Sequence, residues 1–591
     1  MMKKLLSLML GAAVSLSGAA SAAEQSQPNV VLILIDDLSH YGMTTYGANR
    51  IRSVKGEFED ITFSTPNIDK LAETGLRMEN AFTHPLCENT RIALMSGKQN
   101  DRNYLKPKSQ HHSDITFGDV FQRAGYATGM YGKWKQTRGT SNIPGKQYIS
   151  EFGWDDYVAF DVVTEGQRFI NPNLVINGEI ANYQGRTDLD PETGRRWYGP
   201  DIYNRAALNF IEQNKDKPFF LYYPMALVHD DHKPTPDTKP NSIFDNYDEA
   251  THNRNGHKGD EPKYLGDMIE YTDKLIGKVV NKLNQLNLRE ETLIIVMGDN
   301  GTKEIFHHVL PDGSVYPSRK GGNADPGIHV GMVVNQPGTV PAGDGQVRSY
   351  DGLTYLTDVF PTIAEAAGIK IPSETRLDGK SFWAQATGQS REEHRDHIYS
   401  WYMGNGLYHE VKDPRKISFA FDKNFKYYGP SVYFPQGRFF DLKNDPYEKA
   451  GDRYVELRFS VRRYSGLNMQ NLTPEQYEAM LRLKKVVESR QIKPVESVEI
   501  IADISELKVG ETFDLDAEVT PINATRDGVI WHSSNPQIAT VNKFGEVTAH
   551  QAGEVTISLY SWSDARPLAD NKSPEFLTDG IQDSITLEVV R

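Results

Sequence analysis

Three apolar runs along the chain each stop abruptly at a polar cluster. Asn29-Val-Val-Leu-Ile-Leu-Ile35 is continuous rather than alternating and ends at Asp36-Asp37. Leu293-Ile-Ile-Val-Met297 ends at Gly298-Asp299-Asn300-Gly301, and Phe219-Phe-Leu-Tyr-Tyr223 leads through Met225 and Val228 to His229-Asp230. Unbroken apolar runs suit strands covered on both faces, where both alternating sets of side chains leave water. Between the runs, Leu275, Ile276, Val279, Val280, Leu283 and Leu286 share one face at helical spacing. Strands alternating with such helices predict an α/β fold, a mostly parallel sheet sandwiched by helices. Ligand sites in these sheets gather at the carboxyl ends of strands, where the polar clusters lie.

The pattern changes twice further on. From residue 398 to 490, Tyr, Arg and Phe become dense, and Arg438-Phe-Phe-Asp441 reads as a short strand entering a turn. This predicts a smaller α+β subdomain packed on the main sheet, leaving residues 24–397 as the catalytic unit. After Lys493-Pro494, residues 495–591 show short alternating strands such as Phe513–Val519 and Val555–Leu559. With Leu507-Lys-Val-Gly510, Ser533-Ser-Asn-Pro536, Ala539-Thr-Val541 and Gly545-Glu-Val-Thr-Ala549, this stretch resembles a group 2 bacterial immunoglobulin-like domain. The resemblance implies a β-sandwich serving as spacer or attachment module.

At 591 residues the chain exceeds one ordinary domain, and 38% hydrophobic content suits folded globular protein. A formal net charge of −14 argues against a broad nucleic-acid surface, so any anionic substrate needs local basic contacts. Residues 1–23 combine a basic start, an apolar run from Leu5 to about Leu16 and small residues ending Ala20-Ser21-Ala22. That is the form of a bacterial secretory signal peptide, with an apolar run too short for a membrane span. A periplasmic or secreted protein is expected. Its single cysteine, Cys87, cannot form an internal disulfide. It is either a small buried apolar residue or a chemical group.

Context favours chemistry. A lone Asp-Asp pair reads as solvated turn residues, but Asp36, Asp37, Asp299 and Asn300 close two strands. Carboxylates clustered near a core need a compensating cation. Oxygen donors suit calcium, or less readily magnesium. In His84-Pro-Leu-Cys87-Glu88-Asn89-Thr90-Arg91-Ile-Ala-Leu-Met-Ser-Gly97 the polar residues Asn89 and Thr90 open a helix. A helix start favours an anion, and Arg91 adds a planar donor for a tetrahedral oxyanion.

Cys87-x-x-x-Arg91 followed by Ala-Leu-Met-Ser-Gly97 resembles the signature of type I sulfatases of the alkaline phosphatase superfamily. Thr65-Pro-Asn-Ile-Asp69, Gly132-Lys-Trp134, Gly298-Asp-Asn-Gly301, Thr357-Asp-Val-Phe-Pro-Thr362 and Asp378-Gly-Lys-Ser-Phe382 follow in the family's order. The resemblance implies an alkaline-phosphatase-like fold and a formylglycine made from Cys87 by a maturation enzyme. It also implies a calcium site of Asp36, Asp37, Asp299, Asn300 and modified Cys87. Arg91, Lys133, His229 and Lys320 match residues that contact the sulfate or assist the leaving group. Two departures stand out. Asn89 occupies the family's Pro or Ala position and bears on recognition by the maturation enzyme, and Lys135 replaces a histidine.

The expected activity is sulfate-ester hydrolysis on a sulfated polysaccharide or oligosaccharide. Alternatives are a phosphodiesterase or phosphonate monoester hydrolase of the same superfamily, or a non-catalytic glycan-binding relative. His84 is expected to border the pocket, and His307 and His308 either line it or lie on a solvated loop. His111, His112 and His232 are expected at the surface. Arg195-Arg196 and Arg462-Arg463 either grip an anionic glycan or form solvated faces.

Overall fold

The computed structural model describes residues 27–591, apart from 104–109, 137–147, 161, 163–167, 249–252, 255–256, 404–415, 432, 457–460, 491, 562–565, 568–573 and 576–579. The predicted signal peptide lies outside the described residues. Among them, no helix is long and apolar enough to cross a membrane.

A ten-stranded sheet organises the main body. Numbered along the chain, its strands are β1 Asn29–Ile35, β2 Leu76–Phe82, β3 Ala127–Lys133, β4 Asp156–Phe160 and β5 Asn173–Ile176. The rest are β6 Glu179–Asn182, β7 Phe219–Pro224, β8 Thr292–Gly298, β9 His329–Asn335 and β10 Ser349–Tyr355. In space they run β10-β2-β9-β8-β1-β7-β3-β4-β5-β6. The centre, β8-β1-β7-β3-β4, is parallel. β9 lies antiparallel between β8 and β2, and β5 and β6 close the far edge as an antiparallel hairpin. The sheet is therefore mixed, with its parallel part where the apolar runs predicted it.

β1 shows why those runs are unbroken. Val30, Leu32 and Leu34 enter one hydrophobic core, while Val31, Ile33 and Ile35 enter the other. All six are fully buried, so both faces of the strand are removed from water. The helix Leu265–Gln285 covers the second core through Leu275, Ile276, Val279 and Leu283.

The first core continues into the next part of the chain. Ile398, Phe419, Phe421, Tyr428 and Phe440 belong to it, and they come from an antiparallel sheet of four strands spanning Ile398–Met403 to Arg438–Asp441. The helix Pro474–Ser489 packs on that sheet through Ala479, Met480, Leu483 and Val487.

The C-terminal strands enclose a core of their own, including Leu515, Val547, Ile557 and Leu587. The module is also tied to the main body by side-chain contacts. Arg102 Nη2 donates to Asp527 Oδ2 at 2.9 Å, and Arg376 Nη1 lies 3.2 Å from the same oxygen. Lys543 Nζ sits 3.0 Å from Asp119 Oδ1 and donates to the Asp114 and Glu151 carbonyls. Phe544 packs against the first core beneath the Arg123 guanidinium. These side chains are largely dry, so removing one partner strands the other's charge. Asp527→Ala is expected to weaken docking by about 3–5 kcal/mol. Calorimetry of the full chain would then show the sandwich melting ahead of the main body, and a single unchanged transition would refute a latch.

Candidate active site

Strand register assembles the site. β1 and β8 pair with Ile35 opposite Gly298, so Asp36 and Asp299 leave the sheet side by side. The Asp299 amide donates to the Ile35 carbonyl at 2.9 Å, and the Asp37 amide donates to Asp299 Oδ1 at 2.9 Å. Asp37 holds a left-handed φ of 62°, which costs a residue with a Cβ about 1–2 kcal/mol. Asn300 Nδ2 donates to Asp37 Oδ1 at 2.8 Å. Oxygens of Asp36, Asp37 and Asp299 lie within 4.8 Å of one another.

Basic groups from three other segments surround these acids. Lys133, the last residue of β3, places Nζ 2.5 Å from Asp36 Oδ2. Lys320 Nζ lies 2.5 Å from Asp37 Oδ2. Arg91 is fully buried; its Nη2 donates to Asp299 Oδ2 at 2.9 Å and its Nη1 to the Lys133 carbonyl at 2.7 Å. Burial works to raise Asp36, but Lys133, His229 and Arg91 outweigh it and hold this carboxyl well below its ordinary range. Asp299 moves the other way, pushed up by burial and then by the charge of Asp36.

The cluster fits a hard cation. Asp36 Oδ1 and Asn300 Oδ1 are buried and accept no hydrogen bond, whereas buried acceptors are nearly always satisfied. The orphaned atoms are carboxylate and amide oxygens, the donors that calcium or magnesium takes.

Cys87 opens the helix Cys87–Ser96, all ten residues of which are buried. The helix is pinned at both ends. Thr90 Oγ1 donates to the Asp299 carbonyl at 2.8 Å, and Gly97 closes it at φ 64°, where a Cβ would lie 2.8 Å from Leu377. Ligand atoms of Asp36, Cys87 and His229 lie within 4.8 Å of one another. The thiol donates to Glu88 Oε2 at 3.3 Å, and burial followed by the Glu88 charge pushes it up to about 11.

His229 joins the site from beyond β7. Its Nδ1 lies 2.7 Å from Asp230 Oδ1, which leaves Nε2 facing Lys320 Nζ at 2.9 Å. Burial and then Lys133 and Lys320 bring the imidazole down to about 4, so it is neutral near pH 7. With Nδ1–H donating to the Asp230 backbone carbonyl beside that carboxylate, Nε2 accepts from the ammonium. Asp230 is in turn paired with Lys303. The sequence alone marks Asp230 only as the end of a strand and does not single out Lys303 or Glu88. Adjacency was the available signal, since Asp230 follows His229 and Glu88 follows Cys87.

Asp36, Asp37, Cys87, Arg91, Lys133, His229, Asp299, Asn300 and Lys320 thus converge. Lys135 lies at the edge, with φ 48° and Nζ 3.8 Å from Glu88 Oε1. His84 turns elsewhere: Nδ1 is 3.3 Å from the Tyr355 hydroxyl, and burial lowers the ring to about 3. His308 Nε2 lies 3.0 Å from Ser39 Oγ, and half-buried His307 has Nδ1 3.0 Å from the Phe306 carbonyl. Two surface expectations fail. His111 is buried with Nδ1 2.7 Å from Ser113 Oγ, and His232 is buried with Nδ1 2.8 Å from Asp260 Oδ1. Local polar partners make both burials affordable. Arg195 pairs with Asp245 at 3.3 Å.

The sulfatase family model matches residues 28–369, well over half the chain. The chain belongs to the sulfatase family. A second model, N-sulphoglucosamine sulphohydrolase C-terminal, matches residues 323–456, and bacterial Ig-like domain (group 2) matches 494–563. The chain is 26% identical over 386 residues to an arylsulfatase of Hemicentrotus pulcherrimus, covering 60% of this chain and spanning 61% of the relative's length. The fold resembles the PsFucS1 sulfatase from Pseudoalteromonas sp., with TM-score 0.54, 20% identity and coverage of 78% and 89% of the two chains. It also resembles a protein solved in complex with its substrate D-glucosamine-2-N,6-O-disulfate, with TM-score 0.53, 18% identity and coverage of 79% and 98%.

Arg91→Met removes the fixed cation that Asp36 and Asp299 share. The expected loss is about 3–5 kcal/mol, measured as a drop in the main body's thermal midpoint. An unchanged midpoint would show that the lysines alone neutralise the acids.

Proposed function

We propose that this protein is a secreted sulfuric ester hydrolase acting on sulfated glycans, with a calcium ion and a formylglycine derived from Cys87. The observation that carries the reading is the meeting of Cys87 with an oxygen cluster that leaves two buried acceptors unfilled. A thiol beside a hard, oxygen-preferring cation is a mismatch, whereas an oxidised Cys87 offers oxygen in the same place. The glycan class is supported by the disulfated glucosamine bound to one structural neighbour and by the immunoglobulin-like module. Secretion is supported by the form of residues 1–23.

When bound, the cation would draw charge from the sulfate, and the formylglycine hydrate would supply the attacking oxygen. Asp36, Asp37, Asp299 and Asn300 would hold the ion. Arg91 keeps Asp299 oriented and Lys133 keeps Asp36 oriented, so the acids need no rearrangement during reaction. Lys320 presents a cation to the sulfate and carries a proton at Nζ beside His229 Nε2. As the bond between sulfur and the bridging oxygen breaks, that pair can deliver the proton the departing sugar oxygen requires. Asp230 fixes the His229 ring for this task. Lys135 takes the place of a family histidine and, beside Glu88, offers a donor to a substrate hydroxyl.

A sulfate-release screen over defined sulfated oligosaccharides, run beside phosphate esters, tests the activity. Sulfate esters are expected to be hydrolysed faster than phosphate esters, and Cys87→Ala is expected to reduce sulfate release to background. Faster turnover of a phosphate ester would overturn the assignment. The mass of the tryptic peptide spanning Cys87 in active native protein is expected to show the oxidised residue, and an unmodified thiol there would refute the nucleophile.

The ion is tested without turnover. Calcium at about one hundred times its dissociation constant should add ~2.7 kcal/mol to stability, and a chelator should reverse the rise in thermal midpoint. No response of wild type, or an equal response of Asp36→Asn, would exclude the cation.

A further inference from the structure

Lys426 is only 1% exposed, deep in the sheet that follows the main body. It lies on the strand Phe425–Tyr428, with Nζ 4.3 Å from the centre of the Phe419 ring and 4.9 Å from that of Tyr428. Nζ donates to Glu448 Oε1 at 2.9 Å, and the Tyr428 hydroxyl donates to Glu448 Oε2 at 2.6 Å. A buried ion pair is a poor choice for stability alone, because apolar residues of similar volume often serve as well or better. Lys426 has a further partner that a methionine could not hold, the backbone carbonyl of Asn323.

That carbonyl lies three residues after Lys320. The segment between them has two more ties. The Lys320 amide donates to the Thr302 carbonyl at 2.9 Å, and the Gly321 amide donates to the Pro85 carbonyl at 2.8 Å, two residues before Cys87. It is also tightly packed, since a Cβ on Gly327 would lie 1.9 Å from the Gly322 carbonyl oxygen. From this segment Lys320 reaches both Asp37 and His229.

We infer that Lys426, fixed by Glu448 and Tyr428, is a positioning residue that anchors the segment carrying Lys320. The ammonium of Lys320 is held against Asp37 and His229 by a contact from outside the main sheet. This rests on the proposed role of Lys320, but the anchoring itself can be measured without turnover.

The test is hydrogen exchange by mass spectrometry on the full chain, reading the peptide that covers residues 318–324. Lys426→Met alone would strand the buried Glu448 charge, so the decisive variant is Lys426→Met with Glu448→Gln, which removes both charges and keeps the Tyr428 partner. The Lys320 and Gly321 amides are expected to exchange about tenfold faster, with strands β1 and β8 unchanged. Unchanged exchange in that peptide, or equal acceleration throughout the main body, would overturn the inference. In sulfate release the same variant is expected to lower kcat about tenfold and to add nothing in a Lys320→Met background. Full additivity of the two losses would also overturn it. A wild-type protein that releases no sulfate would instead refute the proposed function, leaving the exchange result to decide the anchor.

Discussion

Two carboxylates brought to one point by neighbouring parallel strands are the constraint on which the site depends. The pairing of β1 with β8 fixes Asp36 beside Asp299, and both are fully buried. Water cannot screen their repulsion there, so protein charges must. Each compensating group comes from a different rigid place. Arg91 stands on a buried helix, Lys133 ends a central strand, and Lys320 sits in a segment tied to the residues before Cys87. The acids explain the positions of the bases.

The same burial would strengthen the proposed chemistry. In a dry pocket the attraction between a lysine and an oxyanion is far stronger than at the surface. Such groups help most when already oriented. The hydrogen bonds to Asp299 from the Asp37 amide and from Arg91 supply that order. His229, neutral and steered by Asp230, shows the complementary effect: burial removes a charge that would otherwise compete with Lys320 for an anion.

Much of this was legible in the sequence because it is written locally. An unbroken apolar run announces a strand buried on both faces, and the polar residues at its end announce where chemistry collects. The Asp36, Asp299 and Cys87 neighbourhoods were therefore readable. What escaped depends on contacts distant along the chain. Nothing near Lys303 indicates that it pairs with Asp230, and nothing near His232 indicates the Asp260 that makes its burial tolerable. His84 and His308 illustrate the opposite limit. Proximity in sequence placed them near the chemistry, while their side chains turn toward Tyr355 and Ser39. The docking of the sandwich was equally hidden, since Asp527 and Lys543 look like ordinary surface charges until their partners are known.

That docking bears on how the molecule would meet a polymer. Asp527 and Lys543 grip different segments of the main body, so the sandwich is held at more than one point. A module on a loose linker lets a catalytic head sweep the volume its tether allows. One latched in place instead transmits its own orientation. If the sandwich rests on a fibre or a cell envelope, the pocket faces that surface at a set height and angle. Which chains it can reach is then a matter of geometry as much as of affinity.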